Sequence, residues 1–352
     1  MIQRVALAIG STLLTLLLVE VGLRALDITP PRWSHPTRVE SDDKRHLVDL
    51  YPDDPHGYFE VDAREEGTAQ ALRARGLGEA LQRAQETPFG LISRFSAELC
   101  RGADIPPKRA TRIIALGDSF TEGQGVREDD AWPARLAALR DDEVINCGRR
   151  GHDFPMLREM FDRRLALEPD VVVYAMTLND ARRSDSFEAE QDFLNDWIMD
   201  RRRMLGDEPE EHPFFRSWIW AFVEDRREAV RVGEATTRWY REMYGEPNAE
   251  GWRTTVDDIE AMHRAMEARG GSLFVVIWPL FVSLEAEYPF AEVHETIREA
   301  LRARGIRAAD SLDAFLGRST EDLWVHASDH HPNAEAHAIF ARVVHDALEA
   351  SP

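Results

Sequence analysis

From Arg112 onward the chain alternates short apolar, β-rich runs with longer amphipathic segments, and this rhythm restricts the fold more than any other feature. The runs are 112–116 (RIIAL), 143–146 (EVIN), 170–176 (DVVVYAM), 273–279 (LFVVIWP) and 306–309 (IRAA). The amphipathic segments are 131–140, 155–167, 254–269, 290–304 and 334–350. Strands that alternate with helices of this length require crossover connections, which place the strands parallel in one sheet with helices on both faces. The expected fold is therefore α/β: a three-layer α/β/α domain with a mainly parallel five-stranded sheet. Residues 181–250 interrupt the rhythm. They are charged and aromatic, with Trp197, Trp218, Trp220, Trp239 and Tyr240, and read as a mostly helical insertion after the third strand. Tryptophans at helical spacing belong first to a core; stacking on a sugar or covering an acyl chain is the alternative.

The first thirty residues follow another pattern. Val5 to Val19 carries no charge and is preceded by Arg4. Fifteen helical residues span about 22 Å against a hydrocarbon core of about 30 Å. Continuing through Val21, Gly22 and Leu23 closes the gap, with Glu20 and Arg24 spaced to pair one turn apart. No A-x-A cleavage site or lipobox cysteine follows, so residues 1–26 read as a membrane anchor, with a signal peptide or a core helix as alternatives. Residues 27–110 read as a linker and N-terminal extension: 27–50 is polar and Pro-containing, and 66–86 has helical composition broken by glycines. Residues 111–352 form the main domain. Arginine counting, with Arg4 on one side and Arg24, Arg32 and Arg38 on the other, leaves the topology open.

A formal charge of −21 argues against a nucleic-acid or anionic-lipid partner, which would need a basic face. The run Arg201-Arg202-Arg203 is flanked by acids and reads as a solvated helix face. Cys100 and Cys147 are the only cysteines, which excludes a disulfide framework and a four-cysteine zinc site. Two unpaired buried thiols are the simpler expectation, and a single bridge in an oxidising compartment the other.

Open α/β sheets bind ligands beyond the carboxyl ends of their strands, so the strand exits are the places to search. The first exit is Gly117-Asp118-Ser119, where a following helix would offer backbone N–H groups to an anion. The second is Asn146-Cys147-Gly148-Arg149-Arg150-Gly151, whose glycines permit close backbone approach. The third is Thr177-Leu178-Asn179-Asp180. Before the last helix stands Ser328-Asp329-His330-His331-Pro332-Asn333, with Asn333 suited to the N-cap. A serine hydroxyl attacks an ester only when an imidazole takes its proton, and the charge developing on the carbonyl needs donors already in place. Ser119, His331, Gly151 and Asn179 supply nucleophile, base, backbone donor and side-chain donor. His330 is the substitute base, and Gly148 the substitute donor. The cluster His326, Asp329, His330, His331 and His337 has neither zincin spacing nor a Glu-x-x-His partner, so no metal is expected.

These four ordered blocks, over residues about 111 to 350, resemble the SGNH (GDSL-type) hydrolase superfamily. The anchor and the extended GDSFTEGQGV resemble its membrane-attached bacterial members. The resemblance implies an SGNH/flavodoxin-like fold with Ser119 as nucleophile and His331 as base. The oxyanion donors would be the Ser119 N–H, Gly151 and Asn179. The usual final block is D-x-x-H, whereas here Ser328 lies three before His331 and Asp329 two before. A shortened form, with Asp329 orienting His331, completes a triad; without that contact the pair works as a dyad. Asp118 is expected to support the loop. The expected activity is hydrolysis of carboxylic esters, such as acyl or acetyl esters of glycans or lipids, through an acyl-Ser119 intermediate. No cofactor is implied, and the domain is expected to be extracytoplasmic (periplasmic). An O-acyltransferase acting on an envelope polysaccharide and a catalytically silent binding or scaffolding module are the competing readings.

Overall fold

The computed structural model describes residues 2–26, 28, 48–50, 61–62, scattered positions between 70 and 82, and 91–102, 104–187, 217–326 and 329–350. Trp197, the arginines at 201–203 and most of 27–47 and 66–86 lie outside the described residues. Two compact units result, Met1–Asp43 with Ala189–Trp239 and Lys44–Glu188 with Tyr240–Pro352.

The chain opens with α1 (Ile2–Ala25), whose apolar side chains, Leu7, Leu13 and Leu18 among them, are exposed. Its stretch Gln3–Ala25 is long and apolar enough to cross a membrane. The hydroxyls of Ser11, Thr12 and Thr15 donate to the carbonyls of Ala8, Ala8 and Ser11 within the same helix. Three short strands follow: β1 (Val48–Leu50), β2 (Val61–Asp62) and β3 (Leu91–Arg94). They form a small sheet in the order β1-β3-β2, within the stretch read as linker and extension. Strands of two to four residues are too short to show an alternating pattern in sequence.

The main sheet consists of β4 (Arg112–Gly117), β5 (Glu143–Asn146), β6 (Val171–Met176), β7 (Ser272–Ile277) and β8 (Arg307–Asp310). Every neighbouring pair is parallel, and the order is β5-β4-β6-β7-β8. The helices are α2 (Ser119–Glu122), α3 (Trp132–Leu139), α4 (Met156–Arg164), α5 (Trp218–Glu242), α6 (Ala249–Glu267), α7 (Ala291–Ala303), α8 (Leu312–Phe315) and α9 (Ala334–Glu349). A hairpin of β9 (Trp324–His326) and β10 (Asp329–Pro332) precedes α9. This is the three-layer α/β/α arrangement read from the alternation. α3 packs on α9, and α4 on α6. The central strands are buried along almost their whole length, as a sheet covered on both faces requires. Trp278, just beyond β7, stacks on Phe340 of α9 with centroids 3.6 Å apart, and Trp132 of α3 meets Phe340 edge-on.

Two features depart from or extend the sequence reading. Cys100 and Cys147 are not separate thiols: they form a disulfide with Cα atoms 4.1 Å apart. The Arg101 N–H donates to the Asn146 carbonyl at 2.7 Å, so a backbone bridge brings the cysteines alongside each other. In the first unit, Glu20 of α1 accepts from the Ser217 hydroxyl and the Trp218 and Ile219 N–H groups, at 2.9, 2.9 and 3.1 Å. A carboxylate from another helix thus satisfies N–H groups that the first turn of α5 cannot pair within itself. Arg24 pairs with Glu20, as the spacing predicts, and lies over the Trp218 ring, while Leu23 packs on Trp218 and Ala221.

Candidate active site

In the order β5-β4-β6 the chain leaves β4 toward one side and β6 toward the other, so the crevice beyond their carboxyl ends lies at the switch point of the sheet. Ser119 leaves β4 there as the first residue of α2. Asp118 caps that helix, its Oδ1 accepting from the Phe120 N–H at 2.9 Å. His331, in β10, brings its Nε2 to 2.9 Å from the Ser119 hydroxyl. The Phe120 ring packs against the imidazole, with centroids 5.4 Å apart, and is itself held by Trp278 and Phe281. The neighbouring His330 is exposed and stacked on Trp324 at 3.8 Å, so the structure brings His331 rather than His330 to the serine.

At the second exit the two glycines separate by physics. A Cβ on Gly148 would lie 2.2 Å from the Glu122 nitrogen, so this glycine lets the backbone pack on α2. Its N–H donates to the Asn146 side chain at 3.0 Å. Gly151 has φ +71, and a Cβ there would meet nothing within 4 Å. Among the described residues no acceptor takes the N–H of Gly151 or of Ser119. At the third exit the Asn179 side chain lies against Asp118 and opposes protonation of its carboxyl. Asp329 pairs with His326 through the backbone of the hairpin; its side chain lies outside the described residues.

Three residues not singled out as site residues hold this arrangement. Gln124 places its amide nitrogen 3.4 Å from His331 Nδ1. Which end of that amide faces the ring follows from the hydrogen-bond network: when Nδ1 carries the ring proton, the carbonyl end is its acceptor. Glu122 is fully buried and accepts from the Arg150 N–H and guanidinium. Arg101, also buried, donates to the carbonyls of Glu122, Gly123 and Val126, each at 2.7 Å. Beneath the serine loop two carboxyl groups meet. Thr177 Oγ1 lies 2.9 Å from Asp118 Oδ2 and 2.8 Å from Asp180 Oδ1. Burial pushes both carboxyls up; Asp180, next to the Asp118 charge, rises furthest, and Asp118 is held back by the Phe120 N–H, Thr177 and the facing His331.

With the geometry in hand, residues 115–339 match the model of the GDSL-like lipase/acylhydrolase family. The chain belongs to that family. It is accordingly a hydrolase acting on carboxylic esters. No curated protein matches the chain. Among solved structures it is similar to a putative G-D-S-L lipolytic protein from Desulfitobacterium hafniense, at 17% identity and TM-score 0.39, over 68% of this chain and 99% of that one. It is also similar to the lipase/acylhydrolase from Enterococcus faecalis, at 14% identity and TM-score 0.40, over 68% and 95%. A third is a catalytic mutant of Axe2, an acetylxylan esterase from Geobacillus stearothermophilus, at 12% identity and TM-score 0.40, over 69% and 96%.

Proposed function

We propose that this hydrolase cleaves acyl or acetyl esters of glycans or lipids through an acyl-Ser119 intermediate. The observation that carries the reading is the 2.9 Å contact between the Ser119 hydroxyl and His331 Nε2. In the first step His331 takes the hydroxyl proton as Ser119 Oγ attacks the ester carbonyl. The Ser119 and Gly151 N–H groups and the Asn179 amide hold the oxyanion, each such donor contributing about 3–4 kcal/mol. Collapse of the tetrahedral adduct expels the alcohol, which receives the proton from His331. Water, deprotonated by the same imidazole, then releases the acid. Asp329 completes the triad by orienting the imidazole, and Gln124 lies at its Nδ1.

We further infer that residues 1–26 anchor the chain, with 27–110 as linker and extension and 111–352 as the hydrolase domain with its insertion at 181–250. The exposed apolar surface of α1 supports the anchor. The Cys100–Cys147 bridge supports an oxidising, extracytoplasmic site for the domain, since such bridges are rare where thiols are kept reduced.

The test is hydrolysis of a short-chain chromogenic ester by the full chain in detergent, with Ser119→Ala as control. Turnover by the variant is expected to fall on the order of 10⁴-fold or more. A phosphonate ester reagent is expected to label Ser119 in the wild type and nothing in the variant. Equal turnover by the two proteins overturns the acyl-enzyme, and faster acyl transfer to an oligosaccharide than to water assigns the transferase reading.

A further inference from the structure

The hydrogen bonds beneath the serine loop do not balance if both carboxyl groups are ionised. Thr177 Oγ1 carries one hydrogen, yet carboxyl oxygens of Asp118 and Asp180 both lie within 2.9 Å of it. One hydroxyl proton serves one acceptor at this range, and the second close oxygen must supply a proton of its own. All three residues are buried. An unshielded pair of carboxylates across a single hydroxyl would repel strongly in such surroundings, whereas one proton between them removes the conflict.

We propose that Asp180 is a positioning residue that holds this proton: its Oδ1–H donates to Thr177 Oγ1, and the Thr177 hydroxyl donates to the ionised Asp118 Oδ2. The surroundings fix the direction. Asp180 Oδ2 accepts from the Tyr174 hydroxyl at 2.7 Å and the Thr177 N–H at 2.9 Å, so a proton on this carboxyl sits on Oδ1, the oxygen 2.8 Å from Thr177 Oγ1. Both carboxyls accept such donors, Asp118 from the Phe120 N–H and the Asn179 amide, but Asp118 alone also faces His331, which favours its charged form, whereas Asp180 faces the Asp118 charge. The other titratable groups facing the pair are Tyr240 of α5, toward Asp118, and Tyr244, toward Asp180; burial keeps both phenols protonated. Burial pushes the Asp180 carboxyl well up, in agreement with this placement.

The consequence for the reaction rests on the proposed acyl-Ser119 mechanism. One negative charge, not two, remains under the loop, and it sits on the residue that caps α2 and faces His331. Asp118 then favours the imidazolium that forms when His331 takes the serine proton, and the Asp180–Thr177 chain keeps Asp118 in place. Asp180 touches no reacting atom and acts through Thr177.

The experiment compares full-length wild type with Asp180→Asn and Asp180→Ala in detergent at neutral pH. The asparagine amide has the donor and acceptor pattern of a neutral acid. Infrared spectra should show the carbonyl stretch of a protonated carboxylic acid in the wild type, absent from Asp180→Asn. Unfolding of the wild type should release one proton more than unfolding of Asp180→Asn, because residue 180 ionises only when exposed. With the short-chain ester, Asp180→Ala should lower kcat about 10²-fold with little change in KM, and Asp180→Asn should restore it. The alkaline pH at which the wild type loses its proton should mark a fall in kcat that Asp180→Asn lacks. An acid band that persists in Asp180→Asn, or equal proton release, overturns the proposal. So does an Asp180→Asn variant that folds and remains as impaired as Asp180→Ala. The infrared and proton-release readings require no turnover, so failure of the esterase mechanism would leave its own separate signature.

Discussion

Gln124 is the residue whose place the sequence hides best. It sits in the Gly-rich stretch after Ser119, where it reads as loop, yet the left-handed Gly123 and Gly125 on either side of it (φ +85 and +84) turn the chain so that its amide reaches His331. Gln124→Ala is expected to lower kcat roughly tenfold, the effect of loosening a general base, with KM little changed; steady-state kinetics on a chromogenic ester check it. The places of Ser119 and His331, which the structure brings to 2.9 Å, were legible because strand exits are few and each carries a recognisable residue type. The Asp118–Thr177–Asp180 contact was not, since pairing across the ends of β4 and β6 appears only when the sheet is assembled. His337 shows the converse. It belongs to a histidine-rich stretch, but its Nδ1 accepts from the Trp132 N–H at 3.1 Å, and burial lowers its pKa to about 3. The unfolded chain binds a proton there below its ordinary value of 6.5, and the folded chain does not. Stability from this group is therefore complete above pH 6.5 and is lost as pH falls, at about 1.4 kcal/mol per pH unit. Asp180 has the opposite sign, losing stability as pH rises. His337→Gln should flatten the acid side of the stability curve, measured by denaturant melts between pH 6.5 and about 4.

At the scale of elements, the main sheet was legible because apolar runs alternate with amphipathic segments along the chain, which places even the four-residue β5 and β8. The junction of α1 with α5 was not, because the two helices are nearly two hundred positions apart. Glu20 reads in sequence as an interfacial charge paired with Arg24. In the structure it also caps another helix, adding to the local cap in which the Ser217 hydroxyl accepts from the Trp220 N–H at 3.2 Å. Glu20→Ala is expected to cost about 1 kcal/mol locally, the usual effect of losing a cap. Limited proteolysis should then find the Ser217–Trp220 turn cleaved faster, with the main domain unchanged.

For the whole molecule, order along the chain says little about what is joined. The expectation of unpaired thiols failed because two cysteines 47 positions apart carry no record of the backbone bridge at Arg101 and Asn146 that aligns them. Closing a loop of that length contributes about 4 kcal/mol by chain entropy. Cys100→Ser with Cys147→Ser, or wild type under reductant, is expected to show a correspondingly lower Tm in calorimetry. The bridge has a second effect, on fragmentation. It encloses the segment that carries Ser119, so a protease that cuts once between residues 100 and 147 makes two polypeptides that stay tied. On a denaturing gel the nicked protein would run as one band until a reductant is added, and then as two.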